Sequence, residues 1–242
     1  MTPILELDRL TKRYGAVTVA DDQSYALAPG EALGVIGPNG AGKTTMFNLI
    51  TGTVTPDSGS VRFEGRDVTR LNAATRSRMG IARSFQVPQP FAQLTVFENA
   101  MIAATQAAGL SGRTAERHCL AVLEQTGLLP RANDRAGGLT LLSRKRLELT
   151  RAMCAKPKLL LLDEIAGGLT EAECRALVDT IKDIRATGVS IIWIEHVVHA
   201  LLAVVDRLIV IDFGRKIDEG VPREVMNSKA VQEIYLGIEA DA

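Results

Sequence analysis

Residues 37–45 read Gly37-Pro38-Asn39-Gly40-Ala41-Gly42-Lys43-Thr44-Thr45, set between the apolar run Ala32–Ile36 and a helix-like stretch from Thr44 to Ile50. The pattern G-x-x-x-x-G-K-[ST], in the order strand, loop, helix, predicts a phosphate-binding loop. Gly37, Gly40 and Gly42 let consecutive backbone N–H groups curl around phosphate oxygens where a Cβ would obstruct the approach. Lys43 supplies a point charge and Thr44 a hydroxyl suited to Mg2+, while the N-terminus of the following helix adds its partial positive charge to the same place. The loop therefore points to an α/β chain that binds a nucleotide.

Outward from this loop, short apolar runs at Ile4–Leu7, Val61–Phe63, Leu159–Leu162, Ser190–Ile194 and Leu208–Ile211 read as strands. Several are apolar throughout, as expected of a parallel sheet covered by helices on both faces. Helical patterns lie between them at Thr95–Ala108, Arg113–Thr126, Leu142–Cys154 and Glu171–Ala186, the last preceded by Thr170 as an N-cap. The stretch 93–157 is nearly all helical, which predicts a helical subdomain inserted between the phosphate loop and the next buried strand, beside a core of about residues 1–92 and 158–242 in one domain, 1–242.

The second motif is Leu159-Leu160-Leu161-Leu162-Asp163-Glu164: four apolar residues deliver two carboxylates at the C-terminal end of a strand, where ligands collect in open α/β sheets. Asp163 is suited to hold Mg2+ as the acidic partner of Thr44. Glu164 points to the other side of the strand and is placed to polarise an attacking water. The pair makes hydrolysis the expected chemistry.

Composition agrees. A chain of 242 residues with zero formal net charge carries no long-range attraction for nucleic acid, so no nucleic-acid partner is expected. Cys119, Cys154 and Cys174 show no C-x-x-C spacing and read as buried hydrophobes of a reducing compartment. No apolar stretch is long enough to span a bilayer, and the N-terminus lacks an apolar leader, so a cytoplasmic protein is expected.

The order of these motifs resembles the ATP-binding subunits of ABC transporters along essentially the whole chain. The resemblance implies an ABC-type P-loop NTPase fold: a mostly parallel sheet core, an N-terminal antiparallel β part and an α-helical subdomain. It implies ATP and Mg2+ as cofactors, with the run from Gly37 through Thr45 as the nucleotide-binding loop. Tyr14, in Leu10-Thr-Lys-Arg-Tyr14-Gly15, matches the aromatic that stacks on adenine. Gln86, in Arg83-Ser-Phe-Gln86, matches the glutamine loop that touches Mg2+ and water and senses the membrane subunit. His196, in Ile194-Glu195-His196, matches the switch histidine of the γ-phosphate. Glu164, Gln86 and His196 are thus the catalytic candidates, and Thr44, Gln86 and Asp163 the metal candidates.

Three departures stand beside the matches. The signature Leu-Ser-Gly-Gly-Gln is expected before the helix that ends at Arg151-Ala152-Met153, and here Leu139-Thr140-Leu141-Leu142-Ser143 occupies that position. Thr140 keeps a hydroxyl for the partner's nucleotide, while Leu141 and Leu142 bring side chains where close backbone approach is wanted. Gly138, one residue early, admits a shifted register. Ile165 stands where a proline is usual, and Thr170 replaces the Asp or Asn that contacts the dimer partner.

Within the family, Gly80-Ile-Ala-Arg-Ser-Phe-Gln86, Glu195-His196, and a tail running from Gly220-Val-Pro-Arg-Glu-Val-Met-Asn to Tyr235-Leu236-Gly237 resemble ATPases of branched-chain amino-acid uptake. The implied partners are transmembrane permease subunits, a second ABC ATPase in a homodimer or heterodimer, and, indirectly, a periplasmic solute-binding protein. The implied location is the inner face of the bacterial plasma membrane. Val87–Phe97, with Val87, Phe91, Leu94, Val96 and Phe97 among Pro88 and Pro90, is expected to shape the permease docking groove. Related importers for urea, amides or aromatic acids share the features and lipopolysaccharide-export ATPases are also similar, a non-transport ABC protein normally carries extra segments not visible here, and a binding-only regulatory subunit has no need of Glu164.

Overall fold

The computed structural model describes residues 2–236, so Gly237 of the tail motif lies outside the described residues. Strands β1 (Leu5–Tyr14) and β2 (Val17–Leu27) form a hairpin, and β3 (Ala32–Ile36) leads through the phosphate loop into α1 (Lys43–Thr51). Next come β4 (Ser58–Phe63), β5 (Arg66–Asp67), α2 (Ala73–Met79) and β6 (Ile81–Arg83). Helices α3 (Val96–Gln106), α4 (Gly112–Gln125) and α5 (Leu141–Cys154) precede β7 (Leu159–Asp163). The chain then runs α6 (Glu171–Ala186), β8 (Ser190–Ile194), α7 (Val198–Leu202), β9 (Arg207–Asp212), β10 (Arg215–Gly220), α8 (Pro222–Met226) and α9 (Lys229–Leu236).

Two sheets result. The order β2-β1-β4-β5 is antiparallel; the order β10-β9-β3-β8-β7-β6 is parallel except for β10. The second order matters for chemistry. The neighbouring strands β3, β8, β7 and β6 all end on the same edge, so the phosphate loop, His196, Asp163 with Glu164, and the chain leading to Gln86 emerge side by side.

The four leucines of β7 serve both faces. Leu159 and Leu161 pack with Met46, Phe47, Leu33 and Phe63 between the two sheets, whereas Leu160 and Leu162 pack with Leu149, Leu177 and Ile181 under the helices. Period-two alternation with apolar residues at every position is what a strand buried on both sides requires. α1 is fastened from behind by Arg76. Its guanidinium, 1% exposed, donates to the carbonyls of Leu49, Ile50, Leu71 and Thr69, and so supplies a positive charge to the carbonyl end of the helix. Burial pushes this guanidinium down to about 10.

The sequence pattern left one strand unmarked within the expected core of about residues 1–92: β6, only three residues long, joins the parallel sheet beside β7. The helices also share a core with the sheet, because Ala100, Ala104, Cys119 and Leu149 belong to the same buried cluster as Leu160 and Leu162. A second, smaller cluster of Val96, Leu123, Leu128, Ala136, Leu139 and Leu147 holds α3, α4 and α5 together. Cys119, Cys154 and Cys174 are buried free thiols. Among the described residues no helix is long and apolar enough to cross a membrane.

Candidate active site

The phosphate loop depends on glycine at two close approaches. Gly42 has φ of 101°, and a Cβ there would meet Val19 O of β2 at 2.1 Å; a Cβ on Gly37 would meet Ile211 O of β9 at 2.0 Å. The loop is therefore clamped between the antiparallel hairpin and the parallel sheet, with no room for a side chain at these two positions. Gly42 is the N-cap of α1 and offers no side-chain acceptor, and the first turn carries no acid. The amides at this helix start are left for an anion. Lys43 Nζ folds over the loop and donates to Gly37 O at 2.6 Å and Pro38 O at 2.9 Å. Burial lowers the Lys43 ammonium from its ordinary value, and the nearby Glu164 and Asp163 carboxylates pull it back up.

Beside the loop, Glu164 turns sharply out of β7 with φ of 47°, a left-handed conformation costing a residue with a Cβ about 1–2 kcal/mol. That turn aims its carboxylate at two donors. Gln86 Nε2 lies 2.5 Å from Glu164 Oε2, and His196 Nε2 lies 2.9 Å from Glu164 Oε1, as donor in the tautomer that carries a proton on Nε2. Glu195, 1% exposed, accepts from the backbone N–H groups of Ala166, His196 and Val197, and so joins the segment after Glu164 to the segment carrying His196.

Tyr14, Val19, Asn39, Gly40, Ala41, Gly42, Lys43, Thr44, Thr45, Gln86 and Glu164 line one cleft of about 430 Å3. Tyr14 stands half exposed at its side, with Lys12 Nζ 5.6 Å from the ring centroid. Asp163 is 3% exposed at the end of β7. It is also held by a cation that the sequence reading passed over, Arg83, whose Nη2 lies 2.5 Å from Asp163 Oδ2. The signal for Arg83 was its place in β6, directly before Ser84-Phe85-Gln86.

Thr140 does not line this cleft. It caps α5, its hydroxyl accepting from Ser143 N at 3.4 Å, and it is exposed. Thr140 is the N-cap of α5, and Gly138 ends the 3-10 turn just before it. Leu141 is exposed and lies against Gly168 of the segment after Glu164. Of the apolar residues expected at a docking groove, Val96 is fully buried and Phe97 packs on the core, so these two are structural; Val87 and Phe91 are exposed.

A glycine-lined anion cradle, a lysine folded across it and a carboxylate braced by an amide and an imidazole at one edge of a parallel sheet define a P-loop nucleoside triphosphatase. Residues 20–167 match the ABC transporter family, and the chain belongs to that family as one of its ATPases. It is 34% identical over 250 residues to the high-affinity branched-chain amino acid transport ATP-binding protein LivG of Escherichia coli K12, covering 97% of this chain and 98% of that protein. It is 31% identical over 237 residues to the lipopolysaccharide export system ATP-binding protein LptB of Acidithiobacillus ferridurans, covering 98% of each. Among solved structures, the ADP conformation of MJ1267, an ATP-binding cassette of an ABC transporter, superposes with a TM-score of 0.90 at 29% identity, covering 98% of this chain and all of that one.

Proposed function

We propose that the chain energises an ABC importer for branched-chain amino acids or related small solutes by binding and hydrolysing ATP. The observation that carries the catalytic part is the Glu164 carboxylate braced between Gln86 and His196 beside the phosphate loop. A subunit that only senses ATP has no need of a water-activating carboxylate. The similarity to LivG supports the solute class.

In this reading the phosphates of ATP lie in the loop from Gly37 to Thr45, including the backbone of Pro38 and Ala41, and the adenine lies against Tyr14. Mg2+, when bound, neutralises charge on the phosphate oxygens. The hydroxyl of Thr44, the Asp163 carboxylate and Oε1 of Gln86, whose amide nitrogen is turned to Glu164, would hold it. These are hard oxygen donors, and among the described residues no group of three or more His, Cys, Asp or Glu gathers to hold a metal. That suits an ion that takes most of its ligands from phosphate and water. Lys43 balances phosphate charge, Glu164 accepts a proton from the attacking water, and His196 orients the γ-phosphate and steadies Glu164.

Thr140 and the start of α5, exposed and away from their own cleft, are placed to meet the nucleotide of a partner ATPase, either a second copy or a different subunit. A groove of about 290 Å3 between α1, α2 and β6 on one side and α3 and α5 on the other, with Phe85 on its wall, suits a helix of a transmembrane permease. The chain would then sit on the inner face of the plasma membrane and serve a periplasmic binding protein indirectly.

The similarity to LptB favours one second reading, lipopolysaccharide export. Cells whose only copy carries Lys43→Ala are compared with the parent for uptake of labelled leucine and for surface lipopolysaccharide. Loss of uptake is expected; loss of surface lipopolysaccharide with intact uptake selects export, and loss of neither refutes both.

A further inference from the structure

The segment that carries Glu164 is held at three backbone points. Glu164 N donates to Ile194 O at 2.8 Å, Ala166 N donates to Glu195 Oε2 at 2.9 Å, and the Glu164 carbonyl accepts from Lys145 Nζ at 3.1 Å. Lys145 is 5% exposed. Among the described residues no carboxylate lies within ion-pair distance of its ammonium; Glu195 and Glu164 act on it through space, against the desolvation that lowers its pKa. A buried ammonium with one carbonyl partner is a poor way to fill space, since an uncharged chain of similar length packs there without losing hydration. The position makes sense through what the ammonium holds.

We infer that Lys145 is a positioning residue: by gripping the Glu164 carbonyl it fixes the left-handed turn at Glu164 and keeps the carboxylate against His196 and Gln86. The inference rests on the reading of Glu164 as the group that activates water. Lys145 stands on α5 about one and a half turns after Thr140. On the same helix, Glu148 accepts from Gln89 N, and Arg151 donates to Gln89 O and to Glu148, which ties down the chain just beyond Gln86. Leu141, at the start of the helix, lies against Gly168. α5 thus links the segment proposed to meet the partner's nucleotide with this chain's own Glu164 and Gln86, and among the described residues Lys145 is the only charged side chain that grips the Glu164 backbone.

The test uses the full-length chain with Lys145→Met, which keeps length and removes charge, and Lys145→Arg, which restores charge. Steady-state ATP hydrolysis, ATP affinity and melting temperature are measured for each, alone and in a Glu164→Gln background. Lys145→Met is expected to lower kcat about tenfold to a hundredfold, with KM within about twofold and no fall in melting temperature. Lys145→Arg should recover most of the loss. In the Glu164→Gln background the Met variant should cause little further loss, because the group it positions is already disabled. Parental kcat in Lys145→Met, or an equal loss in both backgrounds, overturns the positioning role while leaving Glu164 as the catalytic group. If Glu164→Gln itself turns over like the parent, the reading beneath the inference falls and takes it along.

Discussion

Arg83 closes on Asp163 with Nη2 and Oδ2 2.5 Å apart, the two side chains only 9% and 5% exposed. The guanidinium lies between the rings of Phe47 and Phe85, 5.3 Å from each centroid, and its Nη1 donates to Asn48 Oδ1 at 2.7 Å. One side chain therefore ties β6, the end of β7 and α1 together immediately beneath the cleft. Removing it strands a buried carboxylate. Arg83→Met is expected to lower stability by about 3–5 kcal/mol. Arg83→Lys should lose less, because it keeps the charge but not the planar fork. Urea unfolding measures both, and an unchanged midpoint in Arg83→Met would contradict the pairing.

Lys43→Ala and Glu164→Gln are expected to fail differently. Lys43 crosses the cradle, so its loss should abolish ATP binding. Glu164→Gln keeps the cradle and removes the base, so binding should persist while phosphate release falls by at least about a hundredfold. Calorimetric binding beside a phosphate-release assay separates the two. Parental turnover by Glu164→Gln would remove the catalytic assignment.

Gly42→Ala adds one carbon where 2.1 Å separates it from Val19 O, on a backbone at φ 101°. The hairpin and the loop must part, and ATP affinity is expected to fall by about tenfold or more, with a loss of about 2 kcal/mol or more in stability. Gly138→Ala meets nothing within 4 Å and serves as the comparison, with both quantities near parental. Equal behaviour of the two variants would show that the clamp has no functional weight.

Phe91 and Val96 lie outside the lining of the proposed permease groove, but Phe91 borders it through Arg151, and position decides outcome. Phe91 is exposed, with Arg151 Cζ 5.2 Å from its ring centroid, whereas Val96 is fully buried in the cluster that joins α3, α4 and α5. Phe91→Asp should leave ATP binding near parental and weaken co-purification with permease subunits from membranes. Val96→Asp should unfold the chain, because a buried charge there has no partner. Undiminished co-purification by a folded Phe91→Asp would move the docking surface elsewhere.

How much of this was legible in the sequence follows from the range of the interactions. β7 was readable because burial on both faces demands four consecutive apolar residues, and α6 because Thr170 and Glu173 form a capping box at its start. β2 was missed. It is an edge strand whose middle reads Ala20-Asp21-Asp22-Gln23-Ser24, and the burial of Gln23 follows from its Nε2 finding Gly214 O, a partner 191 residues away. Glu164 was assigned from its strand-end position, but its bracing by His196 and Gln86 follows only once β8 and β6 are seen to flank β7. Arg83 and Lys145 went unread for the same reason. Their partners are set by strand order and helix packing, which no local pattern encodes.

The placing of β3 governs when this protein can begin to act. Residues Ala32–Ile36 pair on one side with β8 and on the other with β9, both made well after the loop itself. The phosphate loop at the end of β3 leans on Ile211 and Gly214 as well. A nascent chain halted before Ser190 has translated its entire nucleotide loop and still lacks the walls that shape it. Nucleotide capture therefore waits for β8 and β9, and the ribosome releases this motif before the fold can use it.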